Sequence, residues 1–187
     1  VWNDGSDCEA GDESNSIWNR VNRFMEFRFE HLVSVPRETL FRFYENPAHL
    51  SLLHAGLPGF RLLHHENSIR PGSTVWVEQT IAGCIPMVMG FRHIVYEPPR
   101  LFGEEMIHGP FSLFKHIHEF EKLGEKTVVR DILNVTLKWP YGGEIGTRLF
   151  AAASIRSLFA FRSRALQRLV DSGEVALLGT SDQRAGN

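Results

Sequence analysis

The sequence predicts an α+β domain in which a curved antiparallel sheet of seven strands wraps around one long C-terminal helix. Three observations carry this expectation. First, seven runs of apolar and polar alternation lie between Phe24 and Trp139, most of them parted by short turns rich in Gly and Pro. Alternation is the mark of half-buried strands, and short connections make successive strands antiparallel neighbours. Second, no Gly or Pro interrupts the chain from Thr147 to Val170, while Ile145, Leu149, Ala152, Ile155, Phe159, Leu166 and Leu169 recur at helical steps. At 1.5 Å per residue such a helix is roughly 40 Å long, and its apolar stripe must be covered. Third, two short helical patterns separate the first strand from the second.

Taken in order, residues 1–22 are rich in Gly, Ser, Asn and acidic groups, with Trp2, Ile17 and Trp18 as the large apolar side chains. They bury too little to offset ordering entropy, so a flexible tail is expected there and the domain is expected over 23–172. Phe27, Phe29, His31 and Val33 alternate with Glu26, Arg28 and Glu30, a strand that Pro36 ends. Pro36 suits the start of a helix carrying Leu40, Phe41, Phe43 and Tyr44; Asn46-Pro47 breaks it, and a second short helix is expected over 48–53. Strands follow over 60–65, 74–81, 85–96, 101–108, 111–121 and 127–139. Their breaks fall at Arg70-Pro71-Gly72, Gly83, Glu97-Pro98-Pro99-Arg100, Gly109-Pro110 and Leu123-Gly124-Glu125-Lys126. The long helix stops at Asp171-Ser172-Gly173, and 173–187 is expected to be a loose, flexible end.

Composition narrows the partners. A net charge of −2 provides no global field for nucleic acid or an anionic membrane, and no apolar run approaches the ~20 residues that span a bilayer. Fourteen phenylalanines in 187 residues call for either a dense core or an apolar cavity. Cys8 and Cys84 make no disulfide framework, and Asp4, Asp7, Glu9, Asp12 and Glu13 stand where a signal peptide would be basic. These features together predict a cytoplasmic protein.

Four segments add a resemblance. They are Phe29-Glu30-His31 leading to Val35-Pro36 and Phe41-Phe43, then Asn46-Pro47-Ala48-His49-Leu50, then Gly109-Pro110-Phe111 with His116-Ile117-His118-Glu119-Phe120, and finally Pro140-Tyr141-Gly142 with Leu158-Phe159-Ala160-Phe161-Arg162. In this element order, over roughly 25–170, the chain resembles the START/polyketide cyclase-dehydrase superfamily, also called SRPBCC, with the helix-grip fold. Bacterial relatives of this type carry an Asp and a Tyr on the last strand; Asp131 matches the Asp, and Val135 stands near the place of the Tyr. The resemblance implies a cavity for a lipid, polyketide, quinone or similar apolar or amphipathic molecule. Some members are cyclases, aromatases or hydrolases and others only carry, so the fold does not choose between them.

The residues themselves suggest where such a molecule would sit. Phe91, His93, Phe114, His118, Leu133, Val135, Phe159 and Arg162 fall on faces that should line the space between sheet and helix, with Met87 and Met89 as a conformable stripe. His116 and Asp131, on neighbouring strands, form a candidate acid-base pair, as in a cyclase or dehydratase. His116-x-His118 places two imidazoles close enough for a metal, with a third ligand needed from His93 or His108, but the spacing matches no compact zinc motif. The reading therefore carries no metal and no cofactor. No phosphate loop, nucleophile elbow or dinucleotide fingerprint occurs in the sequence. A hydrophobic-ligand carrier leads, an enzyme using His116 and Asp131 is the alternative, and an interaction module with a collapsed pocket is the third.

Overall fold

A computed structural model describes residues 24–81 and 85–181. The tail expected over 1–22, the turn at Gly83 and both cysteines lie outside the described residues. Seven strands form one antiparallel sheet: β1 (Met25–Val33), β2 (Phe60–His65), β3 (Thr74–Ile81), β4 (Ile85–Glu97), β5 (Leu101–His108), β6 (Phe111–Leu123) and β7 (Lys126–Leu137). Their spatial order is β1-β7-β6-β5-β4-β3-β2, so each strand from β2 onward lies beside its successor while β1 pairs with the last. Register shifts between β4 and β5 at Gly90/Phe91 and His93/Val95 bend the middle of the sheet, as extra residues on one strand do.

Between β1 and β2 the chain forms α1 (Arg37–Glu45), a 3-10 turn (Pro47–His49) and α2 (Leu50–Leu53). Asn46 marks the break as its sequence suggests, because its side-chain oxygen accepts the Ala48 N–H at 3.1 Å. Leu40, Phe41 and Phe43 of α1 are fully buried, and Phe41 meets Phe120 edge-on with ring centroids 5.4 Å apart. Each such side chain contributes about 1.5–3 kcal/mol by leaving water. This cluster, with Val33, Phe102, Val129 and Leu166, fills one end of the molecule. A separate cluster of Phe27, Leu133, Val135, Ala152, Ile155 and Phe159 fills the other side.

The C-terminal rod is continuous but not uniform: α3 (Gly143–Gly146), a π-helical segment (Thr147–Ala151) and α4 (Ala152–Asp171). The stripe read from the sequence holds in α4, where Ala152, Ile155, Phe159 and Leu166 are buried. It fails ahead of α4, where Ile145 is 71% and Leu149 66% exposed while Gly146 and Thr147 are buried. A π turn accommodates one extra residue, which rotates everything before it by roughly 100° relative to an ideal helix. Gly146 is required at that rotated contact: a Cβ there would collide with the Tyr141 carbonyl oxygen.

Trp139, expected as the last residue of the final strand, lies beyond the end of β7 in a 3-10 turn and is exposed. The loose end expected over 173–187 needs correction as far as Ser181, while 182–187 lie outside the described residues. Glu174–Ser181 is a helix, α5, and its Val175 is fully buried in the α1 cluster beside the partly buried Leu178. At Gly179 the backbone runs so close to Thr39 of α1 that a Cβ would meet the Thr39 carbonyl oxygen. Eight residues with almost no helical periodicity do not announce such docking in sequence.

Candidate functional site

Between the sheet, α2 and α4 lies a cavity of about 1000 Å³. Its walls are mostly apolar: Val75, Val77, Met89, Phe91, Phe114 and Leu133 from the sheet, with Ile155, Leu158 and Phe159 from α4. Some of its lining residues, Tyr141, Leu149, Phe150, Ala153, Ser154 and Ser157, are also exposed, and they mark where it opens along one side of the rod. The rotation produced by the π segment turns Leu149 and Phe150 toward this mouth instead of burying them.

One wall is polar. β5 and β6 pair so that Glu104 lies opposite His116 and Phe102 opposite His118, which puts Glu104, His116 and His118 on the inward face together. On β7, Asp131 lies opposite His118 and does not line the cavity; it stands behind the imidazoles. His116 Nε2–H donates to Asp131 Oδ1 at 2.9 Å, and His116 Nδ1 is 3.4 Å from Glu104 Oε1. His118 Nδ1 lies 2.7 Å from the same Asp131 oxygen, an ion-pair distance, but too obliquely to form a proper hydrogen bond. His118 Nε2 has no protein hydrogen-bond partner among the described residues. His93 Nε2 is 3.9 Å from the other Glu104 oxygen, and His93 Nδ1 is 3.2 Å from Ser73 Oγ.

Burial and charge divide these groups sharply. Burial raises the Asp131 carboxyl, but the closely placed His118 and the hydrogen bond from His116 outweigh it and hold the group well below the usual range. The same contest leaves Glu104 at about 2, against burial and through His116 above all. For His116, burial opposes the proton, while hydrogen bonds to Asp131 and Glu104 prevail and raise its pKa. His118 goes the other way: burial first, and then the neighbouring His116 charge, push it down to about 4. Two ionised carboxylates thus surround one imidazolium and one neutral imidazole, and the cluster favours a cation.

The residues singled out in the sequence separate into two groups. Phe91, His93, Phe114, His116, His118, Leu133, Phe159 and Arg162 all line the cavity. Val135 does not: it is fully buried in the cluster beneath α4, so its expected role as a wall is corrected to core packing. His108, weighed as a third metal ligand, stacks obliquely on Trp76 at 5.7 Å; the carboxylate that lies with His116 and His118 is Glu104. Glu104 was missed, although the alternation Phe102, Glu104, Met106 places a carboxylate among apolar inward positions. Tyr44 was missed too; its ring lies 5.8 Å from that of His118, and burial, then the Asp131 charge, raise its hydroxyl pKa.

Arg162 closes the polar wall. Its guanidinium lies 5.0 Å from the centroid of Phe159, which stacks on Phe29 at 4.5 Å and meets His116 edge-on at 5.3 Å. No carboxylate pairs with Arg162 among the described residues, so its cation faces the cavity without a counter-ion from any of them.

No family model and no curated protein matches this sequence. Solved structures do match. A protein from Thermus thermophilus superposes with a TM-score of 0.64 at 15% identity, covering 80% of this chain and 99% of that one. A START superfamily protein from Mycobacterium smegmatis gives 0.60 at 18% identity, with coverage of 79% and 97%. Norcoclaurine synthase from Thalictrum flavum, determined with dopamine and hydroxybenzaldehyde, gives 0.59 at 15% identity over 81% and 91%. No described helix is long and apolar enough to cross a membrane. With its seven-stranded antiparallel sheet, its short helices between the first two strands and its long terminal rod, the chain has the helix-grip fold of the START and SRPBCC type.

Proposed function

We propose that this protein binds an amphipathic small molecule, its apolar body between the sheet and α4 and its polar end against Glu104, His116, His118 and Arg162. The observation that carries this reading is a largely apolar cavity of about 1000 Å³ with one charged wall. That volume is at the upper end for small-molecule sites. A lipid, a polyketide or a quinone with an acidic or hydrogen-bonding head matches the pattern. One neighbour of the same fold, norcoclaurine synthase, is known in complex with two small molecules, dopamine and hydroxybenzaldehyde.

Native mass spectrometry of the purified protein, followed by extraction and identification of any retained molecule, tests the proposal. A fluorescent apolar probe, 1-anilinonaphthalene-8-sulfonate, should bind the emptied protein, and Ala153→Trp at the mouth should reduce its uptake while leaving the fold intact. Absence of both a retained molecule and probe binding would sink the reading.

A cyclase or dehydratase is the second reading, favoured by the His116–Asp131 hydrogen bond within a cavity wall. Both ring nitrogens of His116 face carboxylates, so it is poorly placed to accept a proton from a guest. His118, neutral and with Nε2 free of hydrogen-bond partners among the described residues, suits the base role better, while Asp131 orients His116 and lies 2.7 Å from His118 Nδ1. If wild type converts the molecule it retains and His118→Gln retains it unchanged, the enzyme reading gains over the carrier.

A further inference from the structure

We propose that Glu104, His116 and His118 form a binding site for a first-row divalent metal ion, Zn²⁺ or Fe²⁺, with its open coordination positions directed into the cavity. The ligand geometry comes from the strand register. Glu104 on β5 and His116 and His118 on β6 share one sheet face, and one donor atom from each lies within 4.8 Å of the others. Metal–nitrogen and metal–oxygen bonds of about 2.0–2.2 Å need donors somewhat closer than that, an adjustment within reach of side-chain torsions.

Asp131 supplies the second observation. Its Oδ1 holds His116 Nε2 at 2.9 Å and lies 2.7 Å from His118 Nδ1. Each imidazole therefore turns one nitrogen toward the same buried carboxylate and leaves the other, His116 Nδ1 or His118 Nε2, for a ligand on the opposite side. An outer carboxylate on the far nitrogen is the usual support of metal-bound histidines, because it fixes the tautomer and the ring orientation. His116 Nδ1 already points at Glu104 Oε1, 3.4 Å away, so a cation between them would displace the proton that His116 carries there, release it to solvent, and exchange one N–H···O contact for two bonds to the metal. His93 lies beside the site, 3.9 Å from the second Glu104 oxygen.

Two nitrogens and one oxygen, with no thiolate among the described residues, match open catalytic zinc sites and the two-histidine, one-carboxylate iron site; a closed four-ligand structural site would need one more donor. Glu104, His116 and His118 line the cavity and Asp131 does not, so the vacant positions lie where a guest would enter. Resting on the amphipathic-guest reading above, the guest's polar end is then an oxygen donor, such as a carboxylate, an enolate or a phenolate, that completes the coordination.

The test uses Co²⁺ as a probe on the full chain after stripping with a chelator. One equivalent should bind and produce visible d–d bands, and the proton NMR spectrum should show two shifted, exchangeable ring N–H signals from imidazoles held by Asp131. Glu104→Gln and His118→Gln should abolish the bands, Asp131→Asn should weaken binding about 10–100-fold, and His65→Gln on the surface should change nothing. Folded variants are verified by circular dichroism, and the wild-type N–H signals decide the matter if a variant does not fold. No uptake by wild type, or uptake that survives both ligand substitutions, overturns the site. Probe fluorescence on the metal-free protein, with the search for a retained molecule, separates the two claims: probe binding without Co²⁺ uptake removes the metal site and leaves the carrier, whereas Co²⁺ uptake with neither probe binding nor a retained molecule supports the site and removes the carrier.

Discussion

The Thr147 hydroxyl ties the sheet to the terminal rod: it accepts the Leu137 N–H at 2.8 Å and donates to the Gly143 carbonyl at 2.7 Å. Leu137 ends β7 and Thr147 opens the π segment, so one buried side chain fixes the angle at which the rod enters. Thr147→Val keeps the shape and strands the Leu137 N–H, and it should cost about 1–3 kcal/mol by urea denaturation. A loss below about 0.3 kcal/mol would mean the junction is held by other contacts.

Gly146 should tolerate no side chain. A methyl group there would overlap the Tyr141 carbonyl oxygen, and neither backbone can retreat without opening the turn at Gly142. Gly146→Ala should lower stability by about 1–3 kcal/mol or more, whereas Ala153→Gly on the exposed face should cost about 1 kcal/mol. Thermal melting of the two variants compares them directly.

Acid should weaken the fold through His54. Its ring stacks on Phe60 at 4.1 Å and its Nδ1–H donates to the Leu50 carbonyl at 2.8 Å, while burial, then the Arg162 charge, push its pKa down to about 3. In the unfolded chain the group takes a proton near 6.5, so below that pH the unfolded state binds more protons than the folded state. Stability should therefore fall as pH drops from about 6.5 toward 3, by up to about 1.4 kcal/mol per unit from this residue. His54→Gln should flatten the slope. An unchanged slope would show that His54 protonates equally in both states.

Arg162 should select for an anionic head. With no protein carboxylate beside it among the described residues, a guest carboxylate can form a charge-assisted hydrogen bond, generally worth about 1.5–3 kcal/mol. Arg162→Met should therefore weaken dodecanoate binding about 10–100-fold and leave dodecanol nearly unchanged. Equal losses for both would assign Arg162 to packing against Phe159.

Much of the architecture was legible because each strand carries a period of two and ends at Gly or Pro, signals that depend on local sequence alone. The Met87–Met89–Phe91–His93 face and the His116–His118 face were read correctly for the same reason. What escaped was tertiary. The π turn at 147–151 leaves no mark in hydropathy, so Ile145 and Leu149 were put on a stripe they do not share with α4. Glu104 escaped because its role depends on the β5–β6 register, which sets it opposite His116. Val135 looked like a wall by alternation, but whether an inward residue meets space or another side chain depends on where the rod crosses the sheet. The helix at 174–181 was hidden for a related reason: its order comes from docking on α1.

The pairing of the first strand with the last sets a timetable for biosynthesis. Glu30 and Arg130, bridged across β1 and β7 at 2.6 Å, stand 100 residues apart in the chain. As the nascent protein leaves the ribosome, Met25–Val33 has no edge to join until Lys126–Leu137 has emerged, and the rod that roofs the hollow comes later still. A newly made molecule must keep this amphipathic ribbon unpaired while the roughly 100 residues that separate it from its partner strand are made. Its apolar interior stays open until the rod over 143–171 has been made and has settled across the sheet.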